Sequence, residues 1–422
     1  MGLLEIRDLR AYYRVRKGQV KAVDGVDFGV ERGRTVGLVG ESGCGKTTMA
    51  FAILRLLPSN ARIVTGEVRF GGELVFRAPL ADELRFYLDR EGSGEAVRKV
   101  VERREQALEQ DRFSQAEAQL MPLLDREKSL LNEVSEFVED GGQDPETFNS
   151  GLRDLLDRRE RAIGRGFGRK AEKRAMEARL RTLRWSQISM IFQGAMNAFN
   201  PVYKVGDQIE EALEVHLELS HDERRRRVEE LFRLVGMHPE RAAGYPHEFS
   251  GGMKQRAMIA MALACNPGLI IADEPTTALD VIMQDRILGE IRDLQKELNL
   301  SMIVITHDIS VVAEVSDRIV IMYAGQVAEE GPIVNVFERP AHPYTIGLME
   351  AFPNVKGPKK RLRAIPGSPP DLVNPPTGCR FHPRCRFAQE ICQRLEPPLV
   401  EVEPSHRARC HFAKEIFAGE LT

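Results

Sequence analysis

The chain has 422 residues, more than one ordinary domain needs, so two or three units are expected. Its 60 Lys and Arg against 63 Asp and Glu leave a formal net charge of −3, which gives no sign of a nucleic-acid-binding surface. No apolar run reaches the roughly 18 residues of a membrane-spanning helix, and Met1-Gly2-Leu3-Leu4-Glu5 lacks the basic start and long apolar core of a signal peptide. A cytosolic protein is therefore expected, with any membrane contact made through partners.

In chain order, residues 3–77 read as short β segments around a Gly-rich turn, with Val36-Gly37-Leu38-Val39 as a buried strand and Thr47 to Leu57 as a helix. From about Pro79 to Leu183 the sequence is dense in Glu, Arg, Lys, Gln and Leu. Val97, Val101 and Leu108, then Leu131, Val134 and Val138, recur at helical spacing, and a further helical stretch runs from Glu146 to Arg161. Two helices folded back as a hairpin are the simplest arrangement. A solvated helical decoration is the plain reading of this segment, a docking or regulatory arm the functional one. Core-like sequence resumes at Ile188-Ser189-Met190-Ile191-Phe192. Residues 205–262 look helical, and 268–273, 301–306 and 318–323 are apolar strands. Pro340 to Pro376 reads as an extended Pro-rich linker before a small cysteine-bearing module.

Gly40-Glu41-Ser42-Gly43-Cys44-Gly45-Lys46-Thr47 fits the phosphate-binding loop G-x-x-x-x-G-K-[ST] between a strand and a helix, the context that motif requires. The glycines let backbone N–H groups close round a β-phosphate, Lys46 neutralises the β- and γ-phosphates, and the Thr47 hydroxyl is placed for Mg²⁺; Thr48 completes the nucleotide-binding set. Cys44 occupies a variable position and reads as a small filler. Asp273, after four apolar residues, emerges at a strand end where it can bind Mg²⁺, and Glu274 beside it is the natural general base for an attacking water. Ser250, Gly251 and Gly252 open a helix and offer a hydroxyl and bare N–H groups to an anion. Since one phosphate site already exists upstream, this second one is expected to serve another subunit's nucleotide.

These motifs resemble the ABC-type ATPases over about residues 3–77 and 183–412. The resemblance implies an α/β P-loop nucleotide-binding domain with an antiparallel β subdomain and a helical subdomain, formed by residues 1–78 and 184–335. Residues 79–183 would be an inserted helical hairpin without a family counterpart, and 336–422 a linker with the cysteine module. It also implies roles: Gln193 as the Mg²⁺-sensing glutamine, His307 as the switch histidine on the γ-phosphate, and Tyr13 as the aromatic against adenine, with adjacent Tyr12 an open alternative. Ser250, Gly251, Gly252 and Gln255 would form the signature that caps the partner's ATP, and Asp280 the loop that meets the opposite subunit.

Phe249 and Met253 in the signature, Ala195 to Pro201 after Gln193, His342-Pro343-Tyr344-Thr345, Ile365-Pro366-Gly367 and Pro376 to Cys385 resemble the dipeptide/oligopeptide importer branch, the first of its two ATPases. That implies a membrane-peripheral ATPase in a heterodimer, two integral membrane permease subunits and an extracytoplasmic solute-binding protein. Relatives in the branch also import oligosaccharides or nickel. A soluble ABC ATPase of DNA repair or translation is the competing class, and the importer-like C-terminal region argues against it.

Cys379, Cys385, Cys392 and Cys410 could supply four thiolates to zinc or an iron–sulfur cluster. Their gaps are wider than zinc-ribbon C-x₂-C pairs, and the branch resemblance points to [4Fe–4S]; zinc and unliganded or paired cysteines are the alternatives. His382, His406 and His411 read as surface histidines. Because the module is remote in sequence from Lys46 and Glu274, a structural or docking role is expected for it.

Overall fold

The computed structural model describes residues 2–88, 93–110, 121–139, 145–163, 177–194, 198–277, 280–351 and 364–421. Ala195 to Asn197, Ala278-Leu279 and the turn Arg165 to Arg169 lie outside the described residues.

Two sheets form the frame. β1 (Leu4–Val15), β2 (Gly18–Val30), β4 (Ala61–Phe70) and β5 (Glu73–Arg77) build an antiparallel sheet in the order β2-β1-β4-β5. Between them, β3 (Thr35–Val39) enters the second sheet and leads through the phosphate loop into α1 (Lys46–Ile53). β6 (Ile188–Ile191), β7 (Leu269–Asp273), β8 (Ser301–Thr306) and β9 (Arg318–Tyr323) join β3 in parallel, in the order β9-β3-β8-β7-β6.

The apolar runs of β7 and β8 follow from burial on both faces. Leu269, Ile271, Ile303 and Ile305 pack in one core with α1 and the antiparallel sheet. The intervening Ile270, Ala272, Met302 and Val304 face the helical side, as the two-residue strand period requires. That side holds α6 (Val205–His216), α7 (His221–Leu234) and α8 (Gly251–Leu263). A reciprocal cap starts α7: the Ser220 N–H donates to Glu223 Oε2 at 2.8 Å while Ser220 Oγ accepts from the Glu223 N–H. α9 (Val281–Glu297) and α10 (Ile309–Val315) follow β7 and β8.

The inserted region departs from the expected hairpin. Among the described residues it holds α2 (Leu80–Leu88), α3 (Ser93–Gln110), α4 (Met121–Glu139) and α5 (Pro145–Ile163), and a further helical stretch over 177–183. Helices α2 to α5 enclose a separate apolar cluster that includes Leu84, Val97, Val101, Val134, Leu152 and Leu156. The extra helix α2 is short, yet Leu80, Leu84 and Leu88 recur every four residues and present one buried face.

The C-terminal region departs more. Within the expected linker, Pro343 opens α12 (Pro343–Glu350), where its fixed φ suits the first helical turn; α11 (Ile333–Glu338) precedes it. Beyond α13 (Glu390–Arg394), the short strands β11 (Val400–Glu403) and β12 (His406–Ala408) join the main sheet through β10 (Gln326–Pro332), giving eight strands in the order β11-β12-β10-β9-β3-β8-β7-β6. His406, expected at the surface, is fully buried: its Nε2 lies 2.7 Å from Glu329 Oε1, and Glu329 also accepts the N–H groups of Ala341 and His342. Strands of three and four mixed-polarity residues carry no periodic signal, so their pairing was invisible in the sequence.

Candidate functional site

The phosphate loop owes its shape to close backbone approach. A Cβ on Gly45, at φ 107°, would stand 2.0 Å from the Ala22 carbonyl oxygen, and one on Gly40 would stand 2.2 Å from that of Met322. Only glycine fits either position. Lys46 is buried, and its Nζ donates to the Gly40 carbonyl at 2.7 Å and the Glu41 carbonyl at 3.1 Å. Cys44 is buried beneath the loop, as a filler should be, while Ser42 and Gly43 are exposed. Strand alternation separates the two tyrosines. Tyr12 is buried with its hydroxyl on Asp24, whereas half-buried Tyr13 lies toward α1, 3.2 Å from Thr48 Oγ1.

Asp273 ends β7 at 1% exposure, and one carboxylate oxygen, Oδ1, has no hydrogen-bond partner among the described residues. Burial raises its pKa against the pull of the Thr47 hydrogen bond and Lys46. A buried acidic oxygen beside a threonine hydroxyl suits a divalent cation. Among the described residues no three His, Cys, Asp or Glu are arranged to hold a metal ion. For Mg²⁺ that is the usual protein contribution, one or two oxygens with phosphates and water completing the shell.

Glu274 adopts a left-handed φ of 48°, and its N–H donates to the Ile305 carbonyl at 2.8 Å. Three groups close on its carboxylate: Gln193 Nε2 at 2.6 Å, Thr277 Oγ1 at 2.8 Å and His307 Nδ1 at 3.1 Å. Burial pushes its pKa up, but the bonds from Thr277, His307 and Gln193 more than offset this and hold it below the ordinary value. The side chain is thus an oriented carboxylate. Gln193 is 81 residues away and His307 33, so sheet order alone brings them together.

Ser250 caps α8, its Oγ accepting from the Met253 N–H at 3.3 Å, and stands exposed before Gly251 and Gly252. A Cβ on Gly252 would meet Met283 Cε at 2.4 Å. Gln255 is buried one turn on, its Nε2 without a partner among the described residues. Asp280 caps α9, accepting from the Met283 N–H at 3.0 Å.

Cys379, Cys385, Cys392 and Cys410 are unpaired and line one small pocket with Phe381, Phe387 and Phe412. Burial, partly offset by the Phe412 N–H, pushes the Cys410 thiol up to about 12, and the other three thiols add to the rise. They face one another without standing in a metal-binding arrangement. Arg380 and Arg384 lie between Cys379 and Cys385 and carry no motif of their own. Arg384 grips Glu41 of the phosphate loop and Arg380 pairs with Asp24 of β2. The tail therefore touches the nucleotide side, despite its remoteness in sequence; only the charge of the two arginines beside a folding motif hinted at it.

A parallel sheet with a phosphate loop after β3, an acidic pair at the end of β7 and a capped Ser-Gly-Gly helix start define an ATP-binding cassette. A family model described as "ABC transporter" matches residues 23–140 and 167–277, and one described as "Oligopeptide/dipeptide transporter, C-terminal region" matches residues 328–392. The chain belongs to the ABC transporter family, as an ATP-binding, ATP-hydrolysing subunit. It is 36% identical to the oligopeptide transport ATP-binding protein OppD of Bacillus subtilis, over 96% of this chain and 87% of that one. It is also 36% identical to OppD of Salmonella typhimurium, over 97% of this chain and 93% of that one. A dimeric ATP-binding cassette bound to ADP and phosphate, MJ0796, is similar at TM-score 0.48 and 20% identity, covering 78% of this chain and 98% of that one.

Proposed function

We propose that this chain is a peptide-importer ATPase working at the cytoplasmic face of a membrane. In this reading it pairs with a second, different ATPase beneath two integral membrane permease subunits, fed by an extracytoplasmic solute-binding protein. The names of the relatives support the peptide cargo. No helix among the described residues is long and apolar enough to cross a membrane, so passage through one would fall to partners. Residues 1–78 and 184–335 act as the cassette, 79–183 as the insertion and 336–422 as the importer-specific tail.

The grip of Gln193, Thr277 and His307 on Glu274 carries the hydrolytic assignment. Glu274 accepts the proton of a water that attacks the γ-phosphorus, and its neighbours keep the carboxylate ionised and aimed. Gly40, Ser42, Gly43, Cys44, Gly45, Lys46, Thr47 and Thr48 cradle the phosphates, and Tyr13 lies against adenine. Thr47, Gln193 and Asp273 would hold Mg²⁺, which when bound neutralises phosphate charge. Ser250, Gly251, Gly252 and Gln255 serve the partner's nucleotide, and Asp280 the subunit contact.

In the assembled complex, Glu274→Gln should lower ATP turnover on the order of 10²–10⁴-fold while MgATP binding persists. Lys46→Ala should instead lose binding. Near-normal turnover by Glu274→Gln would remove the base assignment. Proteoliposomes holding the whole complex should take up labelled oligopeptide only with ATP; uptake of a sugar or nickel alone would overturn the cargo.

The four unpaired thiols around one pocket support a [4Fe–4S] cluster held by Cys379, Cys385, Cys392 and Cys410. Anaerobically purified protein should then contain iron and sulfide near four each per chain. Stoichiometric zinc without iron would replace the cluster, and no metal at all would remove it.

A further inference from the structure

We propose that Arg384, in the turn between the first two clustered cysteines, is a positioning residue of the nucleotide site that acts through Glu41. The proposal rests on reading the Gly40 to Thr47 loop as the MgATP site.

Glu41 is the second residue of that loop, and each of its polar groups has a partner. Its N–H donates to the Tyr344 hydroxyl at 3.0 Å. Its carbonyl accepts from Lys46 Nζ at 3.1 Å. Its carboxylate takes both arms of one guanidinium, Arg384 Nη1 to Oε2 at 2.7 Å and Nη2 to Oε1 at 3.0 Å. The lysine that neutralises phosphate therefore leans on a residue fixed from the other end of the chain, 343 positions away.

The guanidinium is itself immobilised. Arg384 is 8% exposed; Nε donates to the Pro366 carbonyl at 2.8 Å, and Nη1 also reaches the Tyr323 hydroxyl at 3.2 Å. A planar fork held on three sides delivers two parallel bonds that a lysine cannot reproduce. Beneath it, Phe381 packs on Tyr323 and Tyr344 with centroid distances of 5.1 and 5.4 Å. Val39, the last residue before the loop, belongs to the same cluster, with Cys379 and Cys385 packed against it. A continuous set of contacts thus runs from the cysteine turn through Arg384 and Glu41 to Lys46.

Two consequences separate positioning from mere stitching. Loosening the turn weakens nucleotide binding, and bound nucleotide steadies the turn by the same factor, because coupling between sites is reciprocal. A stitch would alter the melting temperature and leave affinity in the folded protein alone.

The test measures binding of a fluorescent MgATP analogue to the full chain, well below the melting temperature of each variant. Arg384→Met should weaken binding about tenfold, within the usual range of such couplings. Arg384→Lys should recover only part of the loss, and Tyr344→Phe, which keeps the ring and deletes the hydroxyl, should cost about threefold. The double variant Glu41→Gln/Arg384→Met should bind no more weakly than the worse single variant, since both break one contact. If wild type binds, Lys46→Ala does not, and folded Arg384→Met binds like wild type, the clamp is wrong and the nucleotide site stands. Independent, additive losses in the double variant would likewise overturn it. If wild type itself fails to bind MgATP, the nucleotide reading falls and the clamp with it. Should Arg384→Met not fold, Arg384→Lys and Tyr344→Phe decide alone, and wild-type affinity in both would reject the proposal.

Discussion

The inserted helices and the cysteine-bearing tail both lie outside the nucleotide motifs, yet they are attached in opposite ways. Helices α2 to α5 of the insertion keep their own apolar cluster and meet the antiparallel sheet largely through charged and polar groups, while Leu180 and Leu183 at its far end pack into the catalytic core. Tyr87 donates to Asp8 at 2.6 Å, Arg103 reaches the same carboxylate at 3.3 Å, and buried Arg104 pairs with Glu83 inside the bundle. The tail has a small apolar cluster around Ala341, Ala408, Cys410, Ala413 and Ile416, yet it is also built into the catalytic domain: it extends the main sheet by two strands, shares the cluster that ends at Val39, and sends Arg380 and Arg384 to β2 and the phosphate loop. An appendage with a core of its own can yield locally. One that borrows the core of the catalytic domain cannot yield without disturbing it.

The largest stability effect should fall on the insertion and leave binding untouched. Leu152→Ala removes a fully buried side chain and should cost about 2–5 kcal/mol of the bundle's stability. Hydrogen exchange should rise in α3 to α5 while MgATP affinity stays at the wild-type value; a drop in affinity would break the contrast between the two regions.

A smaller loss of stability in the tail should nonetheless reach the nucleotide. Arg380→Met deletes the buried ion pair with Asp24, which still holds Arg10 and the Tyr12 hydroxyl, so about 2 kcal/mol is expected. Urea titration gives the stability, and binding of the MgATP analogue should weaken with it. Unchanged affinity in folded Arg380→Met would mean that the tail is as independent as the insertion.

The mildest effect is a pH dependence at the junction of β10 and β12. Burial opposes the charge on His406, but Glu329 and Glu403 more than offset it, and its pKa lies above the ordinary value. That stabilisation is fully present below the unfolded-state value of about 6.5 and is lost as pH rises through the raised folded value. The stability difference between wild type and His406→Gln should therefore shrink from mildly acid to alkaline pH. A difference that grows over that interval would show the sign to be wrong.

Much of the chemistry was legible because it is local. Gly40 to Thr47 carries strand end, turn and helix start in eight consecutive residues, and the acidic pair Asp273-Glu274 follows directly on an apolar strand. Ser250 capping the helix of Gly251 and Gly252 is equally a matter of adjacent residues. Helices of the insertion were readable from apolar spacing, though their number was not, since α2 spans only nine residues.

What the sequence by itself determined, then, is the set of groups proposed to meet a phosphate, since neighbouring backbone N–H groups and side chains on one turn need no distant partner. Only the tertiary structure decided which groups aim Glu274, which tyrosine faces α1, and that the last tenth of the chain presses on the first phosphate-loop residues. Those outcomes depend on sheet order and strand register, which place residues 33, 81 and 343 positions apart within hydrogen-bond reach. No pattern of neighbouring residues records such distances, because the free energy that selects them comes from packing two buried sheet faces at once.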